Sequence, residues 1–205
     1  LYITSSNIFG MKFSGYHDPI DKAVSYEKRE KSVLFHCLTK NGRRTKIELV
    51  MCSPHVLRFR MHPEEVVLNE SLIEINEKLN EQEFFEFRIM ESAERITVES
   101  DLLKISIDKK PWKYVIYSNI SKEVLLEENI RDLDAHGNYR SPPLGIIIGE
   151  NDNPYGATET FSLHPSESFY GFGEKFTRLN KLGQTIRCWN CNPFGVGTEE
   201  SYKNI

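Results

Sequence analysis

Apolar and polar positions alternate along most of this chain. Leu57, Phe59 and Met61 fall on one side and Arg58 and Arg60 on the other. Phe85, Phe87 and Ile89 alternate in the same way with Glu86 and Arg88, and Leu103, Ile105 and Ile107 with Lys104, Ser106 and Asp108. Ile47, Leu49 and Met51 form a fourth set. Successive side chains of a strand point to opposite faces, so a two-residue period predicts strands with one buried face. Further strands are predicted at Val33–Leu38, Arg95–Glu99, Trp112–Ser118, Glu123–Glu127, Leu144–Ile148 and Thr158–Leu163. Turn chemistry separates them at Asn41-Gly42, Ser53-Pro54, Lys110-Pro111, Gly137-Asn138 and Pro142-Pro143. Many short strands punctuated in this way predict an all-β sandwich and exclude a βαβ protein.

Two stretches depart from the pattern. Leu68, Leu72, Ile75 and Leu79 are spaced by four, three and four residues, which lines one face of a helix. Pro63 stands where such a helix would begin, and Glu64 and Glu65 would suit the positive end of its dipole. The spacing fits a short helical insertion at Glu64–Asn80, and a loop with one strand fits it too. Ile130–Tyr155 is rich in Asp, Asn, Gly and Pro and reads as long loops around one short strand.

Composition narrows the function classes. A chain of 205 residues is one large all-β domain or two small ones and buries a core without staples. Hydrophobic residues at 39% and charged residues at 27% are those of an ordinary globular protein. The net charge of −4 gives no electrostatic reason to expect nucleic acid or an anionic membrane as a partner. The densest basic cluster, Lys40 to Lys46 (KNGRRTK), contains Asn-Gly between two apolar runs and reads as a solvated hairpin tip rather than a phosphate site. No apolar run approaches a membrane span. The start, LYITSSNIF, has neither an initiator Met nor the features of a signal peptide, which suggests an excised segment. Four cysteines are sparse for a disulfide framework and point to a reducing cytoplasm.

Most short motifs carry little. Cys188-Trp-Asn-Cys191 lacks the following helix that would lower a redox thiol's pKa, and Cys37 and Cys52 do not supply metal spacing. No metal or cofactor is expected. The six histidines are dispersed, and no histidine–carboxylate pair for moving protons on sugar oxygens stands out. Gly171-Phe-Gly-Glu174 lacks the remaining residues of a nucleotide loop and reads as a strand end entering a tight connection.

The carboxyl-terminal stretch is more informative. Trp189, Phe194 and Tyr202 are interleaved with Asn190, Asn192 and Asn204 and with glycines. Aromatic faces and planar amides are the groups that hold sugars, and by composition the same loop would suit a buried domain interface. The run YGFGEKF, then GQT, then the tryptophan-asparagine pair, then GVGTEESYKNI resembles the end of the N-terminal domain of glycoside hydrolase family 31, the α-glucosidases and α-xylosidases. The specific resemblance covers Phe169 to Ile205, and the GQT and YKNI details lean toward α-xylosidases.

That resemblance implies a galactose-mutarotase-like β-sandwich (supersandwich) over 1–205, with 184–205 as loop and junction toward a (β/α)8 barrel. The nucleophile and acid/base aspartates of a retaining mechanism would lie in that barrel, beyond Ile205. It implies an oligosaccharide or α-glycoside as substrate, with Asn192 first and Trp189 second as its contacts from this domain. Family members carry an aspartate at the Asn192 position; the amide here has no charge, which implies altered leaving-group binding. Glu174, Tyr202 and Lys203 are expected to be structural. The rival readings are a stand-alone sugar-binding module and a mutarotase-like epimerase.

Overall fold

The structure, a computed structural model, describes residues 2–8, 11–63, 86–129, 142–173 and 177–186. The chain divides into two compact units, one of residues 1–4 and 14–162 and one of residues 5–13 and 163–205. The described regular elements are the strands β1 (Tyr2–Ile8), β2 (Met11–Lys28), β3 (Ser32–Thr39), β4 (Arg44–Ser53), β5 (Val56–Pro63), β6 (Arg88–Glu91), β7 (Arg95–Glu99), β8 (Leu103–Lys109), β9 (Trp112–Ser118), β10 (Val124–Glu127), β11 (Gly145–Ile148) and β12 (Pro154–Thr158), with a 3-10 turn at Glu150–Asp152. Among the described residues there is no α-helix. The segment whose spacing fits a helix, 64–80, lies outside the described residues.

Two antiparallel sheets form a sandwich. The first runs in the order β12-β11-β2-β3-β4-β5, with β1 also paired to β2; the second runs β10-β9-β8-β7-β6. Each grows by hairpins between consecutive strands, and the chain then returns to the first sheet, where β11 pairs with β2. Strand parity decides what meets in the middle. Val33, Phe35 and Cys37 from β3 and Ile47, Leu49 and Met51 from β4 face Ile96, Val98, Ile105, Ile107, Trp112 and Tyr114 of the second sheet in one buried cluster. The Trp112 ring meets Phe35 edge-on at 5.7 Å, and Tyr114 stacks on Phe59 at 5.0 Å, so aromatic pairs tie the sheets together. Each such pair contributes about 0.5–1.5 kcal/mol beyond its buried area.

The observed strands follow the predicted ones closely from β3 to β11. Phe87 is buried just before β6, in step with the alternation, while Phe85 lies outside the described residues. Outside that run β1 has no predicted counterpart, and two further elements differ. The strand predicted at Thr158–Leu163 is displaced: β12 ends at Thr158, and beyond it Phe161 makes an isolated bridge to Glu128. The cause is the polar run before it. Asn151 and Asp152 take left-handed backbone angles (φ 61° and 63°), which their short polar side chains tolerate. The chain therefore reverses quickly there, Gly149 N donates to Asn153 O at 2.9 Å, and β12 can start at Pro154. The second difference is β2, where His17 and Asp18 are buried polar residues inside a strand and mask its alternation.

Asp18 explains the following hairpin. Its carboxylate is fully buried and accepts hydrogen bonds from Thr39 Oγ1 (2.7 Å) and Asn41 N (3.0 Å), with Arg43 Nε 3.9 Å away. Lys40, Asn41 and Gly42 at the tip are exposed, as expected of a hairpin turn, and Gly42 supplies the positive φ. Arg43 instead folds back to Asp18 and pairs with Asp152.

Candidate functional site

The residues singled out as sugar contacts, Trp189 and Asn192, lie outside the described residues, as do Glu174, Cys188, Cys191, Tyr202 and Lys203. The stretch leading to them is described. Asn180 is its organising residue: Oδ1 accepts from Phe169 N (3.2 Å) and Leu182 N (3.0 Å), while Nδ2 donates to Ser168 Oγ (3.1 Å). Lys181 N donates to Phe169 O at 2.7 Å, so two strands of loop are clamped at one point. The Lys181 ammonium turns inward, almost wholly buried, and donates to Thr177 Oγ1 (2.5 Å) and Arg178 O (2.7 Å). The glutamine of the GQT motif is structural here: Gln184 Nε2 donates to Asn180 O at 2.7 Å, next to Gly183 at φ 72°.

This clamp presents apolar side chains to solvent. Tyr170, Phe172, Leu179 and Leu182 are all exposed, Leu179 to 79%. Gly171, Phe172 and Gly173 have φ of 98°, 66° and 75°, three left-handed residues in succession. For Phe172 that conformation costs on the order of 1–2 kcal/mol, because its Cβ crowds the following carbonyl. Glycine on either side leaves the turn free to hold it. Sequence reasoning saw the glycines but missed Asn180 and Lys181, whose partners are backbone atoms that no spacing rule points to.

Two further buried polar centres lie in the sandwich. Glu128, just past β10, is 1% exposed; Oε1 accepts from Leu144 N (2.9 Å) and Oε2 from Tyr114 N (3.3 Å). The Tyr114 hydroxyl donates to Glu159. Burial pushes Glu128 up to about 7; the Leu144 and Tyr114 N–H groups and Lys113 work against that rise, and Glu159 adds to it. Burial likewise raises Glu159. Two carboxyl groups gathered in this way resemble an acid pair in composition only, since Glu128 is sealed from any substrate and both of its oxygens are held by backbone amides. Its role is to close the frame between β9 and the start of β11.

His17, on β2, is the second centre. Its Nε2 is 2.8 Å from Thr158 Oγ1, and burial drives its pKa down to about 4, so the ring is neutral. Thr158 Oγ1 in turn contacts Pro143 O at 3.0 Å. Gly145 makes room for this ring: a Cβ there would stand 2.3 Å from His17 Nε2 and 2.8 Å from Pro19 Cα. A different histidine has a carboxylate beside it, with His36 Nε2 2.9 Å from Glu27 Oε1 on an exposed face. Among the described residues no cluster of three or more potential ligands could hold a metal ion.

Comparison with known proteins agrees with this architecture. The family model described as the glycosyl hydrolase 31 N-terminal galactose mutarotase-like domain matches residues 46–205. The alpha-xylosidase XylQ of Lactiplantibacillus pentosus is 45% identical over 47 residues, which is 23% of this chain and 6% of that protein. Among solved structures, the cycloalternan-forming enzyme of Listeria monocytogenes, in complex with a pentasaccharide substrate, superposes with a TM-score of 0.69 at 17% identity. The match covers 89% of this chain and 15% of that enzyme. A glycoside hydrolase 31 dextranase of Flavobacterium johnsoniae, complexed with glucose, gives a TM-score of 0.65 at 23% identity, over 90% of this chain and 20% of that one. At these identities the structural likeness is one of fold, and the chain spans a small fraction of each of these relatives.

Proposed function

Because this chain belongs to the glycosyl hydrolase 31 N-terminal galactose mutarotase-like domain family, we propose that it serves as the sandwich domain of a retaining α-glycosidase. In this reading the domain packs on a catalytic (β/α)8 barrel that carries the acid pair, and residues 184–205 form the loop and junction toward it. A barrel's active site lies at the carboxyl ends of its strands, so an added domain reaches it by a loop. The observation that carries the reading is the family match over residues 46–205, which runs through the whole aromatic and amide-rich stretch. The clamped segment just before that stretch supports it: Asn180 and Lys181 rigidify the chain while Tyr170, Phe172, Leu179 and Leu182 stay exposed, a surface suited to packing against another domain.

Within the loop, Asn192 binds sugar on the leaving-group side and Trp189 supplies an aromatic face. The substrate is an α-glucoside or α-xyloside, and the short likeness to an α-xylosidase favours the latter. Among the described residues no helix is long and apolar enough to cross a membrane. Cys37 and Cys52 are free thiols, which supports a reducing compartment such as the cytoplasm.

The test uses the full-length enzyme on aryl α-glucosides and aryl α-xylosides with leaving groups of graded acidity. Asn192→Asp should tighten leaving-group binding, because a charged acceptor makes hydrogen bonds roughly twice as strong as a neutral one. Asn192→Ala should raise KM with little change in the slope of rate against leaving-group acidity. Unchanged kinetics in both variants would remove Asn192 from the site while leaving the family assignment intact.

A further inference from the structure

The basic cluster at Lys40 to Lys46 is divided by the structure into two parts. Arg43 points to Asp18 and Asp152, as described above. Arg44 and Lys46 fall on the opposite face of β4, away from the core, because Thr45 and Ile47 between and beyond them are buried. Across β3 from them, β2 carries an irregularity: Ala23 pairs with Cys37 and Ser25 with His36, leaving Val24 as an extra residue in the ladder. Such a bulge bends its strand and turns two neighbouring side chains to one face. The result is a cleft of about 330 Å³ in the outer face of the sheet. Val24 and Ser25 line one wall, His36 and Leu38 the floor, and Arg44 and Lys46 the other wall.

The charge of this cleft is not balanced locally. The nearby carboxylate of Glu27 is already engaged by His36 (2.9 Å) and Arg29 (3.5 Å), and Glu48 by Arg29 and Ser32 Oγ. Among the described residues, Arg44 and Lys46 have no ion-pair partner. Lys46 is half-buried, with His36 opposite it on β3 and His62 on β5. Arg44 is exposed, and two cations converging on one concave surface interact with an anion more strongly than scattered surface lysines do. The guanidinium offers a planar fork and the ammonium a compact charge, a combination suited to carboxylate or phosphate oxygens. Leu38 and Val24 add an apolar patch, and the volume is at the lower end of small-molecule sites.

We propose that the cleft between the β2 bulge and β4 is a binding site for a small anion, a carboxylate or phosphate group free or carried on a body of monosaccharide size. Arg44 and Lys46 hold the charged oxygens, Ser25 donates its hydroxyl, and Leu38 and Val24 support the carbon skeleton. The site is independent of the role proposed for residues 184–205, because it is built entirely from β2, β3 and β4.

Titration of the 205-residue chain, followed by amide chemical shifts, tests this. The probes are inorganic phosphate, glucose 6-phosphate, glucuronate and neutral glucose. The anions should produce saturable shifts confined to Val24–Ser25, His36–Leu38 and Arg44–Lys46, and glucose none. Tighter binding of the two sugar anions than of phosphate would assign a sugar-borne ligand; equal binding would assign the free anion. Arg44→Ala with Lys46→Ala should weaken binding by about tenfold or more, and raising salt from ~50 to ~500 mM should weaken it severalfold. Ser25→Asp, which places a like charge at an exposed position on the cleft wall, should abolish binding while leaving the thermal midpoint unchanged. The proposal fails if no probe shifts these amides, if glucose shifts them equally, or if the double variant and Ser25→Asp bind as the parent does.

Discussion

Glu128 and His17 are buried groups whose protonation costs run in opposite directions. Glu128 has a folded pKa of about 7 against an ordinary 4.5. Between these pH values the folded protein keeps a proton that the unfolded chain releases, so stability falls as pH rises through that window. The contribution is fully present below 4.5 and lost above 7. At ~1.4 kcal/mol per pK unit, the difference comes to about 3 kcal/mol. His17 is lowered from 6.5 to about 4, so between those values the unfolded chain takes up a proton that the folded ring refuses. Its contribution therefore falls as pH falls, again by about 3 kcal/mol. Over the shared range near pH 5 to 6 the two slopes largely cancel, and the parent's dependence on pH from this pair should be shallow. Single variants expose it. Glu128→Gln keeps one acceptor oxygen but turns an amide NH2 toward a backbone N–H, a pH-independent cost of about 1–3 kcal/mol. Superposed on that offset, the variant should gain on the parent by about 3 kcal/mol between pH 4.5 and 7, while His17→Gln should gain by a similar amount as pH falls from 6.5 to 4. Urea unfolding at half-unit pH steps, analysed as the difference between variant and parent, cancels the titrating groups that do not interact with the substituted one and leaves Glu128 together with its neighbour Glu159. A difference for Glu128→Gln that is flat across this range would mean that the two backbone N–H bonds hold the carboxylate ionised, and the burial argument would be wrong.

Two further substitutions probe the close packing at Gly145 and the Asn180 clamp. Gly145→Ala should destabilise the sandwich by about 2–4 kcal/mol in urea, because the new Cβ meets Pro19 Cα at 2.8 Å and Asp18 O at 2.9 Å, backbone atoms that cannot move aside. Asn180→Ala should raise amide hydrogen exchange at Phe169 and Leu182 by about tenfold, whereas Asn180→Asp keeps the accepting oxygen and should preserve protection. Equal exchange in both variants would mean the clamp is held elsewhere.

The strands most legible in the sequence are those whose burial alternates. In β4, β7 and β8 every second residue is buried and nearly all of those are apolar, so the two-residue period survives; β3 and β9 keep their apolar inward positions but also bury Leu34 and Lys113 on the other face. β2 was illegible because its buried polar residues are satisfied from far away. Asp18 needs Thr39 and Asn41, and His17 needs Thr158, 141 residues along the chain. Local pattern rules treat such residues as exposed, and only the fold supplies the partners that make their burial affordable in free-energy terms. The displaced β12 has a related cause: Asn151 and Asp152 belong to a polar run that reads as long loops, and their left-handed conformations instead make a short turn that lets β12 start at Pro154. The family pattern from Phe169 to Ile205 was legible because it rests on residue identities, and the clamp built by Asn180 was not, because it rests on hydrogen bonds to main-chain atoms.

The basic cluster shows where the two kinds of reading meet. Taken as composition, KNGRRTK is a single patch of charge on a hairpin. Taken with strand parity, it cannot be one patch, since Thr45 must point one way and Arg44 and Lys46 the other once β4 is extended, while Arg43, just before the strand, turns to Asp18 and Asp152. That division needs only the alternation already used to predict the sandwich. What parity alone does not supply is concavity. The β3–β4 ladder beside Arg44 and Lys46 is regular, and a β2–β3 ladder without a bulge would leave them on a flat, well-hydrated face, where isolated cations bind small anions weakly. The extra residue at Val24 changes that surface into a cleft, and it is detectable only when Ala23 and Ser25 are seen to pair with consecutive residues of β3. The bulge, rather than the number of basic residues, is therefore the feature on which recognition at this face depends.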